Sequence, residues 1–322
     1  MHVVSASRRT DIPAFHAEWF MRRVREKYAL VRSPFGGGLH EVSLAPQDVT
    51  AVVFWTKNAA PLVPHLKELH EAGHCFTFLY TVNNYPAHLE PRVPHWSHTL
   101  KTLGKIRRGF PGAVIRWRYD TVVFDDVVDR SWHMKNFSFL CGEMAAFSTE
   151  CIFSFCDYYK KTIKNMELRV PTHYRPDESG CKDMAEEMAE VARSCSIKLS
   201  SCAHDFLVSD AVAKAQCISP EVLLRVVDSP IRADAVRQLK AAPSRKECGC
   251  VASRDVGAYD TCLHGCVYCY ANTNPEASRS YLEGMGNDSP CLDPRVAVRA
   301  PLPYHHAEED LTRRARGVRR RG

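Results

Sequence analysis

The run Tyr259-Asp260-Thr261-Cys262-Leu263-His264-Gly265-Cys266-Val267-Tyr268-Cys269-Tyr270 concentrates residues able to do chemistry. Its three thiols stand at C-x3-C-x2-C, with Tyr268 just ahead of the last. Thiolates are the usual ligands of iron–sulfur clusters. Three on one tight loop suffice for three corners of a cubane [4Fe–4S] cluster. The fourth iron is then left without a protein ligand, open to chemistry. Zinc also takes clustered cysteines, but its loops normally pair two C-x2-C units, and only Cys266 and Cys269 have that spacing. A second group is Cys248 and Cys250, in a C-x-C, with Cys202 and Cys217. These four would make a closed site for zinc or an auxiliary iron–sulfur cluster. Cys75, Cys141, Cys151, Cys156, Cys181, Cys195 and Cys291 have no ligand-like spacing and read as packing or surface residues.

The bulk properties frame these sites. The 322 residues are 45% hydrophobic and 25% charged, ordinary for a globular protein. No apolar stretch approaches a membrane span, and the first residues lack the apolar core of a signal peptide. A cytoplasmic location without membrane attachment is expected, and there thiols stay reduced. Fourteen cysteines then point toward metal or cluster binding rather than disulfides. The net charge of +6 is matched by Arg313, Arg314, Arg316, Arg319, Arg320 and Arg321 alone. Residues 294–322 read as a basic, disordered tail. The near-neutral body permits a nucleic-acid partner without favouring one.

The elements that must position the cysteines alternate between short β-branched or aromatic runs and helical patterns. Strands are expected at 3–6, 51–55, 75–80, 113–118, 151–155 and 197–200, with helices at 14–27, 62–72, 97–108, 131–148 and 183–194. Gly36-Gly37-Gly38 lies between two short runs that look like a hairpin, and Gly73 is a helix stop. Alternation of this kind calls for an α/β fold with a parallel sheet, here a partial or complete TIM-like (β/α) barrel. Residues 1–242 would form its body, and 243–293 a cysteine-rich, cluster-binding lid.

In a parallel barrel the chemistry sits at the C-terminal ends of the strands. Arg8, Arg9 and Asp11 fall there, with Lys57 and Asn58, and with Arg116 and Arg118. Arginine offers a planar fork for carboxylate or phosphate, so this rim suits a ligand carrying either group. Arg116 and Arg118 share a face of their strand and point either to a ligand or into ion pairs, for example with Asp120 or Asp11.

The cluster loop resembles that of the radical S-adenosylmethionine (SAM) enzymes, and C-x-H-G-C-V-Y-C-Y-A is similar to their spore photoproduct lyase-like branch. That resemblance implies a [4Fe–4S] cluster whose open iron chelates SAM. It also implies a reductant such as ferredoxin or flavodoxin, and a rim of Arg8, Arg9, Asp11, Lys57, Asn58, Arg116, Arg118 and Tyr268 around cofactor or substrate. Cys141, Cys151 or Tyr158 would be hydrogen-atom donors. In those enzymes the loop normally follows the first strand of the barrel, whereas here it follows all the predicted ones. Three strings resemble the bacterial family called domain of unknown function 1848: Ser5-Ala6-Ser7-Arg8-Arg9-Thr10-Asp11-Ile12-Pro13-Ala14-Phe15, Val53-Phe54-Trp55-Thr56-Lys57-Asn58, and Cys248-Gly249-Cys250 leading to Ala258-Tyr259-Asp260-Thr261-Cys262. The alternative is a non-redox barrel, stabilised by zinc or a cluster, that binds a small anionic ligand.

Overall fold

The computed structural model describes residues 1–296 apart from 34, 35, 37, 244, 246, 275–277, 280, 281 and 283–285. Most of the expected tail, from residue 297 onward, lies outside the described residues. In chain order the elements are β1 (His2–Ala6), α1 (Ile12–Phe15), α2 (Ala17–Glu26), β2 (Tyr28–Arg32), β3 (Leu39–Ser43) and β4 (Val49–Thr56). Next come α3 (Leu66–Glu71), β5 (Phe76–Thr81), α4 (Trp96–Gly109), β6 (Val114–Val122), α5 (Arg130–Met144), β7 (Glu150–Phe155) and α6 (Lys160–Arg169). The chain continues through α7 (Glu178–Ser194), β8 (Lys198–Ser201), β9 (Ala213–Lys214), α8 (Pro220–Val226), α9 (Pro230–Arg237) and β10 (Arg254–Asp255).

Eight strands form one sheet in the order β10-β1-β4-β5-β6-β7-β8-β9, and every neighbouring pair is parallel. The fold is therefore α/β. Among the described residues no ladder joins the edge strands β9 and β10, but Val251 N–H donates to Ile218 O at 3.1 Å across the two flanking segments. The expected hairpin is the antiparallel pair β2–β3.

Alternation along the strands gives the sheet two buried faces, as a parallel sheet requires. Val4, Val52, Phe54, Phe78, Trp117 and Phe153 pack with Phe20, Leu103, Phe137 and Met188 of the surrounding helices. The alternate residues Val3, Val53, Leu79, Ile152 and Cys202 pack on the opposite face with Leu223 of α8 and Val236 of α9. Arg232 on α9 donates to Gly73 O (2.6 Å) and Pro46 O (3.0 Å), which precede β5 and β4. The α8–α9 pair thus lies toward the N-terminal end of that face, and the opposite end is left to the loops.

Side-chain caps fix several helix starts. Asp129, Asp177, Ser219 and Ser229 accept from the N–H groups of Trp132, Gly180, Val222 and Arg232, each satisfying an orphan donor. Asp177 starts α7 earlier than the expected residue 183. The helix expected over 14–27 is instead α1 and α2, broken at His16. Gly73, at φ +86°, ends the α3 region as expected. Residues 243–293 contribute β10 beside β1, so this segment belongs to the sheet and is not only a cover over it. The helices α6, α8 and α9 and the two-residue strands β9 and β10 were not expected from the sequence.

Candidate functional site

The cysteine loop follows β10 and is closed at its base: Asp260 N–H donates to Ala271 O at 3.0 Å, and Asp260 adopts φ +63°. Inside it, Asn272 Nδ2 donates to Cys262 O at 2.6 Å and Cys269 N–H to Cys266 O at 3.2 Å. Gly265 takes φ +73°, and a Cβ there would come within 2.6 Å of Arg92 Nη2. Only glycine meets both demands without strain.

The loop docks on the C-terminal ends of several strands. His264 Nε2 donates to Asp11 Oδ2 at 2.7 Å, both side chains being buried. Asp11 also accepts from Thr56 Oγ1 and Lys57 N–H, each at 2.7 Å, and caps α1 through Ala14 N–H. His16 Nε2 donates to Thr261 O at 3.0 Å. Beyond β5, Leu89 O accepts from Val267 N–H at 3.1 Å, and Arg92 Nε donates to Leu263 O at 2.5 Å. Tyr270 OH donates to Arg8 O at 2.6 Å. Asp11 is thus an anchor that ties the loop to β1 and β4, with its carboxylate occupied by protein donors.

Next to the thiols lies a buried polar knot. Lys57 Nζ stands 2.8 Å from Glu90 Oε1, which also accepts from Asn83 Nδ2 at 3.0 Å and from Tyr268 OH. Burial works against the Lys57 charge, but the Glu90 carboxylate, helped by Cys266, holds its pKa above the ordinary lysine value. Burial pushes up the thiols themselves, Cys262 to about 12 and Cys266 well above its usual value, with Cys269 shifted the same way. Cys269 acts electrostatically on Cys262 and Cys266, and Cys262 on Cys266, so the three share one neighbourhood. A metal centre here would have to displace thiol protons.

Deeper on the same face, two guanidiniums approach the Trp55 ring, Arg8 at 4.9 Å and Arg118 at 5.1 Å from its centre. Arg118 is ion-paired with Asp120, one of the partners considered for it. Arg116 is one layer further from the rim, because β6 runs four residues past the expected end at 118. It is buried against Glu150 (2.7 Å) and the carbonyls of Gln216 (2.7 Å) and Cys217 (2.8 Å), so its donors serve the framework. Arg9 is held by Asp255 at 3.1 Å. Asn58 turns back on its own segment, its Oδ1 accepting from Ala60 N–H at 3.1 Å. Asp255 gathers Ser5, Ser7, Arg8 N–H, Arg9 and Gly257 N–H; burial opposes its charge, but Arg9 and these donors hold its pKa below the usual carboxylate value.

The second cysteine group is also brought together. Cys202 Sγ is 3.6 Å from Cys217 Sγ, Cys217 is hydrogen-bonded to Cys250, and Cys250 to Cys248. The bond from Cys217, opposed by burial and aided by Arg118, lowers Cys202 to about 7, while Cys217 as donor is raised well above its usual value. Among the described residues, no three Cys, His, Asp or Glu side chains form a group that could hold a single metal ion.

Two participants were missed in the sequence. Glu90 sits in the loop after β5 with no motif around it. Cys156 packs in one apolar cluster with Cys266, Val267, Tyr268 and Cys269. Counting by twos from Ile152 along β7 puts Cys156 on the face opposite Cys151, a signal that was available. Cys141 and Cys151, considered as hydrogen-atom donors, are instead buried in the core between sheet and helices.

Fold and site together define an α/β protein with a parallel eight-stranded sheet and a cysteine-rich rim. The chain belongs to the family described as domain of unknown function (DUF1848), whose model matches residues 3–271 and so includes the whole cysteine loop. No curated protein matches it in sequence. One solved structure, from work on inhibition of the pneumococcal virulence factor STRH and on N-glycan recognition and hydrolysis, is 10% identical at a TM-score of 0.26. That match covers 73% of this chain and 62% of the other, and it carries no argument.

Proposed function

We propose that the protein is a radical SAM enzyme in which Cys262, Cys266 and Cys269 hold a [4Fe–4S] cluster with one open iron. The observation that carries this reading is the place of the loop in the sheet. It follows β10, and β10 is an edge strand beside β1. Read in spatial order from that edge, the loop follows the first strand, as in the enzymes it resembles, although it comes last in the chain. A bond such as that from Val251 to Ile218 would close the sheet into a TIM-like barrel, with the loop over its mouth.

The donor set fits the group. A cubane offers a separate iron to each thiolate, so its ligands need not converge as those of one zinc ion must. When bound and reduced by an external one-electron donor such as ferredoxin or flavodoxin, the cluster would supply the electron that cleaves SAM to methionine and a 5′-deoxyadenosyl radical. The chain's own residues would seat and shield this chemistry. Lys57 sets a buried positive charge beside Cys266, Glu90 fixes that ammonium, and Tyr268 packs over it with its ring centre 5.9 Å from Nζ. Arg8 and Arg118 face the same end of the sheet and suit a carboxylate or phosphate on SAM or substrate.

The test is electron paramagnetic resonance on anaerobically reconstituted, reduced protein. A cubane signal that SAM perturbs, lost in Cys262→Ala, Cys266→Ala and Cys269→Ala, is expected. A signal that ignores SAM yet is lost in these three variants would mean a closed cluster in the loop, with Cys156 the first fourth ligand to examine. An iron-free protein carrying stoichiometric zinc would overturn the reading.

A further inference from the structure

We propose that Cys202, Cys217, Cys248 and Cys250 are the ligands of a second iron–sulfur centre, closed by four thiolates. Three separate segments deliver them: the turn after β8, the stretch after β9, and the C-x-C turn before β10. The four sulphurs form a continuous chain of contacts, beginning with 3.6 Å between Cys202 and Cys217. Gly249 shows how closely the C-x-C turn is applied to the stretch after β9. A Cβ on it would come within 2.9 Å of Gln216 Cγ and 3.2 Å of Ala215 O. That approach delivers Cys250 to Cys217.

The surroundings are those of an anion. Arg245 Nη2 is 3.7 Å from Cys202 Sγ, the charge of Arg118 acts on Cys202 and Cys217, and that of Arg8 on Cys250. Ile218 N–H points at Cys250 Sγ from 3.4 Å. Asp120 and Asp157 pair with Arg118 and Arg245, while the Arg8 side chain meets the Ser253 hydroxyl and the Trp55 ring. Cys202, Cys217 and Cys250 are buried in the apolar cluster of Val3, Leu79, Ile152 and Leu223, yet the guanidiniums of Arg245, Arg118 and Arg8 also act on them, which is not the environment of cysteines that only fill space. Four thiolates around an iron–sulfur core leave a net negative centre, which matches the excess positive charge.

The centre would lie one layer beneath the cysteine loop. Arg8 links the two, acting on Cys250 while its carbonyl accepts from Tyr270, the residue after Cys269. A role as electron conduit to the open cluster rests on the proposed radical SAM reading; the ligand assignment does not.

Two variants of the full chain separate the ideas, each prepared anaerobically with iron, acid-labile sulfide and zinc measured. Cys262→Ala/Cys266→Ala/Cys269→Ala leaves the second group intact and should keep about a third (a two-iron core) to a half (a four-iron core) of the wild-type iron and sulfide, in a centre that ignores SAM. Cys202→Ser/Cys217→Ser should lose about the same share and keep the SAM-sensitive signal. If the triple variant is folded by circular dichroism and holds no iron, or holds zinc in its place, the assignment is overturned. Should Cys202→Ser/Cys217→Ser fail to fold, the triple variant decides alone. Retained iron there, together with a wild-type signal indifferent to SAM, would uphold this centre and sink the radical reading.

Discussion

Glu90→Gln should be among the most damaging conservative changes in the protein. The side chain is 2% exposed and Lys57 14% exposed, so the pair at 2.8 Å is nearly dry. Glutamine fills the same space, and its carbonyl can still accept from Lys57, Asn83 or Tyr268, so no cavity opens. What is lost is the charge. Removing one partner of a buried ion pair costs about 3–5 kcal/mol, because the other charge stays behind uncompensated. A retained neutral hydrogen bond returns about 1 kcal/mol. Asp120 also acts on Lys57, so the expected net cost is about 2–4 kcal/mol. Lys57→Met with Glu90→Gln removes both charges and should recover most of that loss, giving a coupling of about 2 kcal/mol. The assay is urea unfolding of the metal-free protein, followed by circular dichroism through all four corners of the cycle. A single-variant cost under about 1 kcal/mol, or a double variant no better than Glu90→Gln, would show that the knot is not an ion pair in a dry site. In the iron-loaded protein the same substitution should cost less, since the anionic centre near Cys266 would share in neutralising Lys57.

Three other outcomes follow from the geometry. Gly265→Ala forces a left-handed backbone on alanine, about 1–2 kcal/mol, and displaces Arg92 from Leu263 O, about 1 kcal/mol more; faster iron loss to a chelator should report it. Arg92→Ala added to it should relieve the collision but not the backbone strain. His133 is fully buried, accepting at Nδ1 from Tyr119 OH and donating from Nε2 to Val123 O, and burial lowers its pKa to about 4. The unfolded chain takes a proton near pH 6.5 while the folded one does not, so stability should fall by about 3 kcal/mol as pH drops from 6.5 to 4; thermal melts of wild type and His133→Gln across that range should differ in slope. Asp255, whose pKa is depressed, contributes stability that is present above the ordinary carboxylate value and lost as pH falls through the folded one. Asp255→Asn should remove that acid limb and lower the melting temperature at pH 7.

The sheet was legible where strands are long and buried on both faces. Runs such as Ala51–Trp55 and Cys75–Tyr80 are apolar throughout because helices cover one face and a second core fills the other. The two-residue strands β9 and β10 carry no periodicity and exist only because a neighbour offers a ladder edge. The helices α8 and α9 are short, and what holds them is tertiary: Ser219 and Ser229 cap them, and Arg232 reaches carbonyls before two other strands. Local sequence does not encode those distant acceptors.

The site shows the same division between parity and depth. That Arg116 and Arg118 share a face follows from their spacing. How far each stands from the rim depends on where β6 ends, and that is set by pairing with β7 up to Phe155 rather than by the apolar run alone. One step of two residues separates an arginine bound into the framework by Glu150 from one whose Nε is buried without a hydrogen-bond partner among the described residues. The buried Trp55 Nε1 beside it is in the same condition. Buried donors of this kind cost free energy unless something accepts from them. A ligand carboxylate or phosphate between Arg8 and Arg118 would supply the acceptors. Arg118→Met should therefore weaken binding of the anionic ligand while leaving the iron content of the loop unchanged. Equal loss of both would instead make Arg118 part of the metal-binding framework.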